Sequence, residues 1–241
     1  MTMSKIELAV PRRSEVYDDV RALVISSTLT PNTRIRVEEI AKRVDAGTTP
    51  VREALFQLSA EGLVTVNHQK GFWQPAIDPI ELRHLIDTKT ALEQLILRDS
   101  PEHWNDKHEQ DLVVIFHQFR KMDTLSPLGS YESNRLWLEG HRRLHLALLA
   151  GSTNNPALHM VDILNTNTDR YRCYIMGGWL EQTGSTDLVD EVQTMNTVDA
   201  HLELYELAMA SDFAALAAAL AAHNAEAHAL LDKALERLLN G

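Results

Sequence analysis

Cysteine is almost absent: the 241 residues contain one, Cys173. An intrachain disulfide is therefore excluded, and nothing in the chain calls for an oxidising compartment. Long apolar runs are missing too. The stretch up to Arg13 lacks the apolar core of a secretory signal, and no later segment approaches the roughly 18 apolar residues of a membrane span. The expectation is a soluble cytoplasmic protein with no membrane partner. Positive charge is also scarce, with 23 Lys+Arg against 34 Asp+Glu and a net charge of −11. That deficit counts against a nucleic-acid partner only if it is evenly spread, and it is not. Residues 1–77 carry 10 basic and 9 acidic residues, a charge of +1, whereas residues 78–241 carry 13 and 25, a charge of −12. The acidity belongs to the second part. The first part is able to gather cations on one face, with a modest and salt-sensitive attraction for phosphate.

What is plentiful is apolar material, 44% of a chain longer than one domain usually needs. Two domains are expected, at 1–77 and 78–241. In the first, Val16, Tyr17, Val20, Leu23, Val24 and Ser27 recur at the spacing of one helix face, so Ser14 to Ser27 reads as a helix. Thr30-Pro31-Asn32-Thr33 breaks the pattern, and Val37–Val44 makes a second short helix with acidic residues in its first turn. Gly47 marks the turn after it. A third helix opens with Thr49 as N-cap and Pro50 at its first position, and stops at Gly62. Two short helices around a tight turn form a helix-turn-helix. Residues 63–66 and 72–75, separated by the turn formers 67–71, read as a β-hairpin, which makes a wing.

The segments "TPVREAL" at 49–55 and "EGLV" at 61–64, with a Gly-containing wing, resemble the GntR family of winged helix-turn-helix repressors over roughly residues 12–77. The resemblance implies DNA contacts from an Arg before the second helix, from the start of the recognition helix and from the wing tip. Here those positions hold Arg34, Thr48, Thr49, Arg52 and His68. Guanidinium forks suit phosphate oxygens and guanine edges, and the unsatisfied N–H groups of a helix start suit phosphate. The family usually has Ser-Arg just ahead of Thr-Pro-Val-Arg; this chain has Gly47-Thr48, so one Arg of the family's interface is missing.

From Asp78 onward helical periodicity continues without strand-type alternation, so the chain is mainly α, with an all-α bundle of six or seven helices after the winged module. Expected helices are 78–99, 103–125, 130–150, 155–181, 187–210 and 212–239, and Gly177-Gly178 is a candidate break inside the fourth. His141 and His145, four apart, share one helix face. His201 and His223 stand ten and eleven residues from a corner at Ser211-Asp212, about 15 and 16 Å along two antiparallel helices, and so should be level. Such a quartet suits a divalent transition metal bound through neutral imidazole. His103, His108, His117 and His228 read as ordinary surface or core residues.

The pattern also resembles the FCD subgroup of GntR regulators, whose helical sensor holds a metal with one Asp and three His. His145, His201 and His223 occupy the His positions, and His141 stands where the subgroup has Asp. Imidazole for carboxylate leaves the site one charge more positive and favours zinc or nickel. The resemblance further implies a small-molecule effector, commonly a carboxylate, met by an Arg four residues before a Glu; here that pair is Lys89 and Glu93. Asn167, Arg170 and Arg172 are further candidates for the effector cavity. The expected whole is a homodimeric repressor, not an enzyme, that binds a palindromic double-stranded operator under effector control. The alternatives are a regulator gated by metal alone and a helical metalloenzyme, the latter disfavoured because no nucleophile or placed base accompanies the cluster.

Overall fold

The computed structural model describes residues 15–26, 28–67, 69–122, 131–183 and 197–240, with backbone only for 131–135, 177–183 and 240. The chain divides into two compact units: α1 as far as Val24 with Thr28–Ala76, and the residues from Ile77 onward with Ile25 and Ser26.

In the first unit α1 (Glu15–Ile25) buries Tyr17, Val20 and Val24 on one face, and Tyr17 donates to the Glu61 carboxylate at 2.6 Å. Then follow β1 (Arg34–Ile35), α2 (Val37–Arg43), α3 (Thr48–Ala60), β2 (Thr65–Asn67) and β3 (Gly71–Trp73). The sheet is antiparallel in the order β1-β3-β2, with Arg34 opposite Trp73 and Val66 opposite Phe72. So the hairpin carries a third strand, too short for alternation to reveal. The hairpin is also displaced from 63–66. Leu63 and Val64 are apolar because they plug the core: Gly62 turns at φ 81, Leu63 N–H closes on the Leu58 carbonyl at 2.9 Å, and both side chains are buried.

The start of α3 differs from the expectation as well. Its N-cap is Gly47, and Thr48 and Thr49 are already helical. Pro50 is then the third helical residue, still in the turn whose N–H groups have no helical acceptor, so it costs no hydrogen bond. The left-handed residue of the α2–α3 turn is Asp45 (φ 49), and Ala46 N–H reaches back to the Ala41 carbonyl at 3.0 Å.

The second unit comprises, among the described residues, α4 (Pro79–Asp99), a 3-10 turn (Ser100–Glu102), α5 (Asp106–Met122), α6 (Tyr131–Leu148), α7 (Asn155–Thr183), α8 (Val198–Met209) and α9 (Phe213–Asn240). Asp78 caps α4 by accepting from Ile80 N–H at 2.9 Å, with Pro79 at the first position. α7 runs unbroken through Gly177-Gly178, so the glycines do not divide it. The helix expected from 187 has its boundary at Thr197, which is extended and accepts from Ala200 N–H; α8 begins only at Val198. The Ser-Pro break at 126–127 and residues 187–196 lie outside the described residues. Ser211 (φ 55) and Asp212, whose carboxylate accepts from Ala215 N–H at 3.0 Å, make the corner between α8 and α9.

Leu82 and Ile86 of α4, Tyr171 and Ile175 of α7, and Leu231 and Leu235 of α9 form one apolar cluster. Along 162–172, a stretch that runs into that cluster at Tyr171, α7 is polar yet stays buried, with Asp162, Asn165, Thr166, Asn167, Thr168, Asp169, Arg170 and Arg172 all inside. Buried polar groups persist only when partnered, and much of this stretch is: Thr166, Asn167 and Thr168 donate to carbonyls four residues back, and Asp162 meets Arg142 of α6. No described helix is long and apolar enough to cross a membrane.

Candidate metal centre and nucleic-acid interface

Three helices each bring imidazole to one point inside the second unit: α6 with His141 and His145, α8 with His201, α9 with His223. All four are buried, between 0% and 8% exposed, and one ring nitrogen from each lies within 4.8 Å of the others. The corner at Ser211-Asp212 sets His201 and His223 level, their ring centroids 4.7 Å apart. Phe119 of α5 meets His201 edge-on at 5.3 Å, and Trp137 stacks on His141 at 4.8 Å, which closes the chamber with apolar rings.

The nitrogen geometry fits one shared cation. His145 Nε2 is 3.1 Å from His141 Nε2 and 3.2 Å from His201 Nε2. Nitrogens bound about 2.1 Å from one ion stand about 3.0 Å apart at a right angle and about 3.4 Å apart at the tetrahedral angle. His201 Nδ1 lies 2.8 Å from the Thr197 carbonyl; a carbonyl only accepts, so the proton sits on Nδ1 and Nε2 presents a lone pair, the orientation that metal-binding histidines adopt. His145 Nδ1 is buried without a partner, so hydrogen bonding on that edge does not explain the ring's position. A single Nε2 proton would serve only one of its two close contacts, whereas a metal ion satisfies both.

Electrostatics keeps the donors neutral. Burial, reinforced by neighbouring imidazoles, holds His141 and His145 well below the usual imidazole range. Burial likewise draws His201 down to about 4, against the Thr197 hydrogen bond, and His223 to about 3. Lys89 and Arg172 add to the effect on His145, His201 and His223, so both cations are felt in the chamber. Lys89 is buried 3.8 Å from buried Glu93, and Asn224, next to His223, donates to Glu93 at 2.6 Å. Arg172 pairs with buried Asp169 at 2.9 Å.

The other expected effector residues have partners within the protein. Arg170 binds Glu81 at 3.0 Å and lies over the Tyr171 ring; Asn167 donates to the Ile163 carbonyl at 3.0 Å. Successive helical residues are turned by about 100°, so 170 and 172 face different neighbours. Residues the sequence did not single out are Thr197, Asp169 and Asn224. Thr197 acts on His201 through its backbone carbonyl, which any residue type offers, so its identity carries no signal for that contact.

In the first unit Thr48, Thr49 and Arg52 are exposed on the opening turn of α3. Arg34 is exposed on β1 with its guanidinium across the wing: a side chain on Gly71 would come within 3.8 Å of Nη2. Arg36 is occupied by Glu39 at 3.1 Å, while Arg34 and Arg52 make no ion pair among the described residues. His68 lies outside the described residues.

A winged helix-turn-helix module followed by a helical domain with a buried histidine quartet defines a two-part regulator. Residues 12–73 match the family described as bacterial regulatory proteins, gntR family, and residues 84–226 match the FCD domain. The chain belongs to the GntR family, in its FadR-like subgroup with an FCD domain, and is a transcriptional regulator. It is 29% identical over 160 residues to the HTH-type transcriptional repressor GlaR of Escherichia coli K12, covering 66% of this chain and 70% of that protein. It is 26% identical over 156 residues to the HTH-type transcriptional regulator BphR of Paraburkholderia xenovorans LB400, spanning 64% of that protein. In fold it is similar to E. coli McbR/YncC, with a TM-score of 0.68 at 18% identity, over 90% of this chain and 94% of that one.

Proposed function

We propose that the chain is a cytoplasmic, homodimeric repressor that binds a palindromic double-stranded DNA operator and whose affinity is set by a metal-containing FCD domain. The observation that carries this reading is the buried, neutral quartet of His141, His145, His201 and His223 in a chain that also bears a GntR module. When bound, zinc or nickel supplies a Lewis-acidic point charge inside the bundle. The chain's own residues supply the rest: Thr197 fixes the His201 tautomer, Phe119 and Trp137 keep water from the rings, and Lys89 offers its ammonium to an anionic effector, a small carboxylate. Thr48, Thr49, Arg52 and Arg34, with His68, meet the operator, the helix start entering the major groove. Two copies related by a two-fold axis match a two-fold operator. An effector shifts operator affinity only by binding the two states of the protein unequally.

A second reading, gating by metal alone, draws support from Arg170 and Asn167, which already bind Glu81 and the Ile163 carbonyl within the protein. Selection of bound sequences from a random duplex library, followed by titration with the metal removed and restored, tests both. The proposal expects a two-fold symmetric sequence whose affinity changes with metal and again with an added carboxylate. A change with metal and none with any carboxylate favours the second reading. Absence of sequence-selective binding contradicts both.

A further inference from the structure

Charge inside the second unit points to the kind of ligand the metal centre accepts. All four ligand candidates are neutral imidazoles, so none cancels the charge of a divalent ion. The charged groups next to them do not cancel it either. Lys89 and Glu93, 3.8 Å apart, sum to zero whether the pair is ionised or has shared its proton, and Arg172 with Asp169 at 2.9 Å also sums to zero. Lys89 and Arg172 both act on His201 and His223, while the Glu93 carboxylate is already engaged by Asn224 at 2.6 Å as well as by Lys89. A divalent ion here stands with two uncompensated charges in a chamber walled by Phe119 and Trp137. Buried charge in apolar surroundings requires a counter-charge.

Resting on the metal-site reading above, we propose that His141 makes this centre selective for dianions: the all-imidazole set holds its metal together with a doubly charged anion that faces Lys89 and Arg172, and a carboxylate at position 141 would shift the preference to monoanions. Metal and dianion then bind with positive coupling, each tightening the other by the same factor. The position matters because imidazole there leaves the centre with two net charges, where a carboxylate would leave one.

The experiment is calorimetric titration of the full-length protein. Metal content and zinc affinity are read first, in a low-anion buffer, so failure of the metal site is seen separately from failure of this inference. Zinc-loaded protein is then titrated with two pairs that differ in charge, succinate against butyrate, which share a four-carbon chain, and sulfate against nitrate. In the wild type, at least one dianion should bind at least about tenfold tighter than its partner, and zinc affinity should rise in its presence by the factor by which zinc tightens that dianion over the zinc-free protein. In His141→Asp that ratio should fall by about tenfold or more. Lys89→Gln serves as the second variant should His141→Asp not fold, and it should weaken the dianion more than the monoanion. Equal affinity within both pairs, no binding of any of the four, or a ratio unmoved by the variant that folds would overturn the proposal. A wild type that takes up no zinc removes the centre and the proposal together.

Discussion

Acidifying the metal-free protein asks the quartet to accept protons where the fold leaves them no favourable place. His201 titrates at about 4 and His223 at about 3 in the folded chain, against about 6.5 once unfolded. With folded values below unfolded ones, the unfolded state binds more protons between those limits, so stability falls as pH drops below about 6.5. At pH 5 both groups are still neutral when folded and almost fully protonated when unfolded, which costs about 2 kcal/mol each. His141 and His145 are shifted in the same direction. The loss of about 4 kcal/mol or more between pH 7.5 and pH 5 is a large part of the roughly 5–15 kcal/mol that holds a domain folded. Denaturant unfolding of the chelator-treated protein at several pH values measures it, with helical signal as the readout. The His201→Gln, His223→Gln double variant, which lacks two of the titrating groups, should show a shallower dependence by about 4 kcal/mol over the same range. A wild type whose stability does not change between pH 7.5 and pH 5, or a double variant with the wild-type slope, would refute the reasoning.

Other consequences follow from particular contacts. Arg52→Ala should leave the helical signal and melting temperature unchanged and weaken binding to the selected operator by about 1–3 kcal/mol, roughly ten- to a hundredfold, in fluorescence anisotropy. Arg34→Ala should cost less, and its loss should shrink as salt rises, because a contact made to phosphate is screened. Arg142 of α6 is shared between Glu139 and buried Asp162 of α7; Arg142→Met strands the Asp162 carboxylate and should destabilise the second unit by about 3–5 kcal/mol, measured by denaturant unfolding. Double replacement with Asp162→Leu should recover much of that loss.

Legibility differed between the parts of this chain for physical reasons. Helix periodicity and the Thr-Pro opening placed α1, α2 and α3 within a few residues, because one buried face repeats along them. β1 was missed since two residues, Arg34 and Ile35, are too few to alternate, and their pairing partner lies in the wing. Leu63 and Val64 imitated a strand because a core plug and a strand interior share composition. Gly177-Gly178 imitated a helix break that the helix absorbs in its length. The levelness of His201 and His223 was readable by counting from one corner, since rise per residue is fixed. The side faced by Arg170 or Arg172 was not, because it depends on which helices flank α7, and neither the pairing of Arg172 with Asp169 nor that of Glu93 with Asn224 leaves a mark in local sequence.

A metal ion held by the quartet is what the proposed regulation depends on. Elemental analysis of the purified full-length chain, alongside a His201→Ala, His223→Ala double variant, tests it most directly. About one zinc or nickel per chain in the wild type, lost in a double variant that retains its helical signal, is the result expected of two ligands from one centre. A folded wild type that carries no metal and takes up neither zinc nor nickel on addition would contradict it.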